Sequence, residues 1–314
     1  MKPTLSSACH NLQLTTNYSM QTLFIYMQSL ITALKSTGKI RTAETYSSTL
    51  NCFKKFRKNK DLPLRSIDSK LMQEFQSWQK SNGLTQNTVS FYNRILRAVY
   101  NRAVEDKIIE NLFPFRHVYT GIGKTKKRAL TLSAIKKIKS VDLSLYPSED
   151  FARDMFILSF MLRGMSFIDM AFIKKTDLAN GRINYRRRKT GQLLSIEWTK
   201  EMQLVIDKYP RNRTRYLLPI ITKEEINQRC AYKYVSYKIN KSLKKISNRL
   251  KLGVPLSMYV ARHSWASIAH SNGIPLSIIS EGLGHDSELT TKIYLASLDN
   301  SVIDKANHRL ITLL

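Results

Sequence analysis

The sequence predicts a mainly α-helical protein with one small antiparallel β-sheet, divided into two domains. Three observations lead there. Apolar residues recur at helical spacing through most of the chain, and two adjacent stretches near its middle carry the alternation of paired strands instead. A basic, glycine-containing stretch separates a helical first part from a larger second part. The length of 314 residues agrees, since domains usually hold about 100 to 200 residues.

A polar segment over residues 1–17 precedes four helical patterns near Ser19–Lys35, Thr42–Arg57, Ser69–Ser81 and Gln86–Asp106. In the first, Leu23, Met27, Leu30, Ile31 and Leu34 follow one face. Gln28 and Ser29 interrupt it and it is too short to span a bilayer, so it reads as a packed amphipathic helix. No secretion signal is visible and no membrane partner is expected. Asp68 is placed to cap the third helix and Gly83 to end it. The fourth lines up Val89, Tyr92, Leu96 and Tyr100, leaving Arg94, Arg97 and Arg102 for solvent or phosphate. These patterns define a helical module over 18–115.

A linker is expected over 116–130, where Gly121 and Gly123 loosen the backbone and Lys124, Lys126, Lys127 and Arg128 follow. The second domain, 131–314, opens with a helix from Leu132 and an apolar one from Ser148 through Gly164 with Ser148 as its cap. Arg182–Lys189 and Gln192–Thr199 read as strands joined at Thr190-Gly191. Val235, Ile239, Leu243, Ile246 and Leu250 mark a long basic helix over Tyr232–Leu250. Short helices punctuated by Gly253, Gly273, Gly282 and Gly284 complete the chain.

Lys and Arg number 51 against 23 Asp and Glu, a net charge of +28, spread from Lys35 to Arg309 rather than gathered in a tail. Such a body favours a polyanion, with nucleic acid the first candidate; a ribosomal or architectural protein would share this charge. Cys9, Cys52 and Cys230 are odd in number and far apart, which argues against a disulfide framework and fits a reducing cytosol. None pairs closely with a histidine, so neither a metal nor another cofactor is expected.

Chemistry concentrates between Met258 and Leu295. Tyr259-Val-Ala-Arg262-His263-Ser-Trp is followed by Leu283-Gly-His285 and, nine residues after that histidine, by Tyr294. This segment resembles the catalytic half of the tyrosine recombinases (phage integrase family), whose pattern reads His-x-x-Arg, Leu-Gly-His, then a nucleophilic Tyr. Lys189-Thr190-Gly191 and Leu162-Arg-Gly-Met-Ser-Phe-Ile-Asp169 extend the likeness in the same order, and the helical module resembles the family's core-binding, SAM-like domain. The wording of both segments is most similar to integrases and invertases of Bacteroidetes.

The resemblance implies roles that suit the residue types. Arg262, with its permanently charged fork, would clamp the phosphate oxygens as charge builds on them. Tyr294 would attack phosphorus and store the bond as a phosphotyrosine, needing neither ATP nor metal. His285 would hydrogen-bond the phosphate or the nucleophile, and Lys189 would protonate the leaving 5′ oxygen. Two positions depart from the pattern. Ser166 stands where the family has its first arginine, and it carries no charge. Arg163 lies one turn earlier, but Arg187 is the stronger substitute, because strand alternation puts Ile183, Tyr185, Arg187 and Lys189 on one face and Arg186 and Arg188 on the other. Tyr259 stands where the family has its first histidine; a phenol is a poor base at neutral pH yet still donates a hydrogen bond. His263 reads as a residue packing the active-site helix, with help in proton traffic beside Tyr259 and Arg262 as the alternative.

The implied architecture is a two-domain clamp round double-stranded DNA, working as a homotetramer on two sites in the bacterial cytoplasm, close to the nucleoid, and the family allows accessory DNA-bending proteins. The implied outcome is integration and excision, or inversion, of DNA. A DNA-binding relative that has lost catalysis is the alternative suggested by Ser166 and Tyr259, and a type IB topoisomerase-like enzyme is a further one.

Overall fold

The computed structural model describes residues 21–123, 128–223 and 227–295 with residues 308, 311 and 312, and excludes the side chains of 293–295. The expected segment 1–17, the linker lysines Lys124, Lys126 and Lys127, and the Tyr294 side chain therefore lie outside the described residues. Two compact units emerge, residues 1–125 and 126–314.

The first unit packs four helices, α1 (Leu23–Ser36), α2 (Ile40–Phe56), α3 (Ser69–Ser81) and α4 (Gln86–Glu105). Helix α3 begins where Asp68 accepts from the Leu71 N–H, as the sequence suggested, and α4 begins where Thr85 does the same for Thr88. Helix α1 starts at Leu23, its expected start at Ser19 lying outside the described residues, and its first amides are satisfied from afar: Leu23 donates to the Leu62 carbonyl and Phe24 to Asp61. The apolar stripes meet in one core around Phe53, whose ring lies 4.9 Å from that of Phe75, with Met27, Ile31, Leu96 and Tyr100 also buried. Arg94 and Arg97 are exposed, whereas Arg102 is paired with Asp106.

Residues 118–123 are not loosened by their glycines. Val118 enters the core, Gln76 and Asn93 bond the Tyr119 backbone, Ser90 bonds the Gly121 carbonyl, and Asn87 bonds both backbone groups of Gly123. Polar side chains on α3 and α4, with Ser90 and Asn93 fully buried, thus hold this strap against the helices.

The second unit contains α5 (Leu132–Ser140), α6 (Pro147–Met161), α7 (Phe167–Phe172), strands β1 (Leu178–Ala179), β2 (Arg182–Arg186) and β3 (Leu193–Glu197), then α8 (Lys200–Asp207), α9 (Gln228–Arg249), α10 (Met258–Ser271), α11 (Leu276–Leu283) and α12 (Glu288–Leu295). The strands form an antiparallel sheet in the order β1-β2-β3, with Tyr185 opposite Leu194. Helix α6 is central and packs on α9 and α10, burying Met155, Phe156 and Leu158 against Leu243, Ile246 and Val260.

Local details differ from the sequence reading. Ser148 does not cap α6; Pro147 occupies its first turn, where a missing N–H costs nothing, and Glu149 and Asp150 complement the helix dipole. The helix ends at Met161, so Arg163 is not helical: it and Gly164 take left-handed conformations, φ 57° and 68°. Strand β2 stops at Arg186, which leaves Lys189 in the turn. Gly282 lies inside α11 rather than breaking it, close under the Trp265 ring. Among the described residues no helix is long and apolar enough to cross a membrane.

Candidate active site

Arg262 sits in the first turns of α10, only 5% exposed. Helix α10 comes this close to the end of α6 because Gly164 has no side chain: a Cβ there would lie 2.6 Å from the Arg262 Cα. The Gly164 carbonyl accepts from the guanidinium at 3.0 Å and the Leu283 carbonyl accepts a second N–H. A third contact, 3.1 Å, runs from Arg262 Nη2 to Nε2 of His285.

That contact assigns the histidine. A guanidinium has only hydrogens to offer, so Nε2 is the acceptor and the ring proton is on Nδ1, which faces Thr291 Oγ1 at 2.7 Å. Burial, then the charges of Arg262, Arg187 and Lys189, hold the His285 pKa down at about 4, so the ring is neutral at physiological pH.

Arg187 follows directly on β2 and is 6% exposed, whereas Arg186 and Arg188 are exposed. It donates to the Gly284 carbonyl, and its buried Nε has no hydrogen-bond partner among the described residues. The rest of the hairpin tip binds the same loop: Thr190 Oγ1 reaches the Gly284 carbonyl at 3.3 Å and Gln192 the His285 carbonyl at 3.3 Å. Gly284, left-handed at the end of α11, gives these side chains room, since a Cβ would strike Leu194, Arg187 and Gln192. Lys189 is exposed in the turn, so it does not share the buried face of Ile183, Tyr185 and Arg187, although its charge reaches His285. Arg186 donates to the Gly191 carbonyl, and Arg188 lies over the Phe172 ring at 4.2 Å.

Ser166 caps α7 and donates to Asp169 Oδ2 at 2.6 Å, while Asp169 Oδ1 accepts the Arg188 backbone N–H at 2.9 Å. The buried carboxylate thus anchors the hairpin between Arg187 and Lys189, a part that sequence reading left unassigned. Arg163 is half-buried with its chain near Gly282, and its charge, with those of Arg262 and Arg187, acts on the buried Tyr185 phenol. Tyr259 is 57% exposed and meets His263 edge to face at 4.5 Å. Thr291 is fully buried on α12, three residues before Tyr294. The spacing of Thr291 after Leu-Gly-His was its only sequence signal.

Two family descriptions match the chain, the phage integrase SAM-like domain over residues 22–118 and the phage integrase family over residues 149–301. The chain belongs to the phage integrase family of tyrosine recombinases. It is accordingly a site-specific DNA recombinase, an enzyme that cleaves and rejoins DNA strands. Tyrosine recombinase XerA of Saccharolobus solfataricus is 27% identical over 122 residues, 39% of this recombinase and little more than a third (37%) of the relative. Tyrosine recombinase XerA of Pyrococcus furiosus is 22% identical over 269 residues, 73% of this chain and 90% of the relative. In fold, the recombinase resembles a lambda integrase dimer bound to a COC′ core site, with a TM-score of 0.66 and 17% identity over 94% of this chain and 81% of that one.

Proposed function

We propose that this recombinase cuts duplex DNA at a specific site with Tyr294 as nucleophile, and that Arg187 replaces the arginine absent at Ser166. The observation that carries the reading is the convergence of Arg262, Arg187 and the Lys189 charge on one neutral histidine, His285.

The Tyr294 phenol oxygen attacks the scissile phosphorus as the bond to the 5′ oxygen breaks, leaving a 3′-phosphotyrosine. The phenol proton passes to Nε2 of His285, whose lone pair exchanges the Arg262 N–H for the phenol, and the leaving 5′ oxygen takes its proton from the Lys189 ammonium. A 5′-hydroxyl from the second strand reverses these transfers and rejoins the DNA. Arg262 and Arg187 hold the non-bridging oxygens as their charge grows, each already oriented by a backbone carbonyl. Because Nε2 has no proton to give, His285 serves the nucleophile rather than the phosphate. Tyr259 stays a hydrogen-bond donor at the rim.

We also propose that two duplex sites are joined in a homotetramer in the bacterial cytoplasm, with the placement of sites deciding between integration, excision and inversion. A lambda integrase tetramer bound to a Holliday junction, TM-score 0.65 at 17% identity, supports the assembly. The test starts from a pool of nicked duplexes with randomised cores, incubated with the full chain. Recovery of a covalent adduct identifies the site, and Tyr294→Phe is expected to bind that duplex without forming the adduct. A Phe protein that still forms it removes Tyr294 from the role, and absence of any adduct from the wild type favours a DNA-binding relative without catalysis.

A further inference from the structure

We propose that Tyr185 is a further catalytic residue, its phenol donating a hydrogen bond to a non-bridging oxygen of the scissile phosphate beside Arg262 and Arg187. The inference rests on the reading that these two arginines hold that phosphate.

Tyr185 lies on β2, two residues before Arg187 and on the same face, and both side chains are buried. Across the sheet it stands opposite Leu194, which closes on Gly284 together with Arg187 and Gln192. Its ring belongs to the core that also holds Met165, just before Ser166, and Val260 and Ala261, just before Arg262. The strand thus brings the phenol in among the segments that build the site.

The residue is only 8% exposed, and a buried tyrosine ordinarily pairs its hydroxyl. Among the described residues this hydroxyl has no hydrogen-bond partner, and it is not one of the unpaired polar atoms closed off from solvent, as the neighbouring Arg187 Nε is. It is open to an oxygen that comes from outside. The charges of Asp169, Arg262, Arg187 and Arg163 all act on it, so the hydroxyl stands where three cations gather, a place that suits an anion.

The chemistry fits a donor. Burial, and next the Asp169 carboxylate, hold the phenol pKa well above its ordinary value in spite of the three arginines, so the oxygen keeps its proton. Ser166 has its own hydroxyl committed to Asp169. A neutral phenol therefore adds a contact that strengthens as charge grows on the phosphate, without the cost of burying another cation. Its O–H bond stays intact throughout the reaction.

The test uses the full chain and the recovered nicked duplex, with the scissile phosphate either unmodified or as its Rp or Sp phosphorothioate. Single-turnover adduct formation is followed at saturating DNA. Tyr185→Phe keeps the ring and loses one oxygen; it is expected to bind the duplex as wild type does and to form the adduct about 10- to 100-fold more slowly, the range for one hydrogen bond to a charged oxygen. Sulfur is a weak acceptor, so this loss should largely disappear on the diastereomer with sulfur facing Tyr185 and persist on the other. Tyr185→4-aminophenylalanine, which returns a donor to the same ring, should recover the rate. A wild-type rate for Tyr185→Phe on the unmodified duplex, an equal loss on all three substrates, or a 4-amino variant as slow as Phe overturns the contact, and the equal loss assigns Tyr185 to packing. Arg187→Ala on the unmodified duplex decides the underlying reading separately: a wild-type saturated rate there removes Arg187 from the phosphate whatever Tyr185→Phe does.

Discussion

Two parts of the site present an arginine by opposite means. Arg262 is held within a regular helix, with carbonyls of Gly164 and Leu283 and the His285 ring around its guanidinium. Arg187 stands just past the end of a strand, in a turn whose geometry comes from Asp169, Thr190 and Gln192. A helix fixes side-chain direction by its own repeat, whereas a hairpin tip must be fixed from outside. The first region therefore takes its direction from its own helix, although its close packing leaves no room for an added atom. The second depends on its neighbours.

The largest expected effects test whether both arginines act in the transition state. Arg262→Ala and Arg187→Ala should each slow cleavage at saturating DNA by about 10²–10³, while Arg186→Ala and Arg188→Ala weaken binding and leave the saturated rate nearly unchanged. Single-turnover adduct formation makes the comparison. Equal rates in the Arg186, Arg187 and Arg188 variants, or inactivity confined to Arg163→Ala, would transfer the missing charge from Arg187 to Arg163.

Next come the glycines on either side of the comparison. Gly164→Ala combines a left-handed backbone with a Cβ driven into the Arg262 main chain, so a loss of about 2–5 kcal/mol is expected. Gly191→Ala, with φ 77° but open space around its Cβ, should lose only about 1–2 kcal/mol. Urea unfolding of both proteins checks this. Similar losses would mean that the close approach of α10 to Gly164 is not tight.

A smaller effect is expected from the anchor of the hairpin. Asp169→Asn keeps one acceptor for Arg188 N–H but weakens the charge-assisted bond to Ser166, so the tip should loosen without unfolding. Cleavage should fall several-fold, with faster hydrogen exchange in residues 187–192. Asp169→Asn with native exchange there would contradict the anchoring role.

What the sequence could disclose follows the same division. Helix α3 was legible to the residue because Asp68 and Gly83 are local signals, and the Arg262, His285 and Tyr294 spacing was legible because it is short and ordered along the chain. Helices α7 and α8, of 6 and 8 residues, were too short for periodicity to show. The face assigned to Lys189 was misplaced because alternation ends with β2 at Arg186. Residues 118–123 looked loose because their partners, Asn87, Ser90 and Asn93, sit on a helix 26 to 36 positions earlier. Asp169 and Thr291 gained their roles only once distant elements met.

The smallest effect is one of pH on stability, and it separates the Arg262 side of the site from the hairpin. An ordinary histidine titrates near 6.5, whereas burial and the three cations hold folded His285 at about 4. Between those values the unfolded chain binds a proton that the folded chain refuses, so the folded state loses stability as pH falls from about 6.5 to about 4, and the slope levels off below that. For a half-buried ring the change is about 1 kcal/mol once solvent screening is allowed for. Asp142 and Glu201, whose pKa values are lowered, add losses that begin at the acid edge of this window and are common to wild type and His285→Gln, so the difference between the two isolates the histidine. His285→Gln should flatten the wild-type dependence of Tm across the window, and Arg187→Ala should flatten it partly, since it removes one of the three charges. Bound DNA should act in the same direction, because its phosphates offset those charges. If Tm falls equally in wild type and His285→Gln across the window, the histidine is not held neutral by its surroundings, and the cations do not converge on it as the geometry requires.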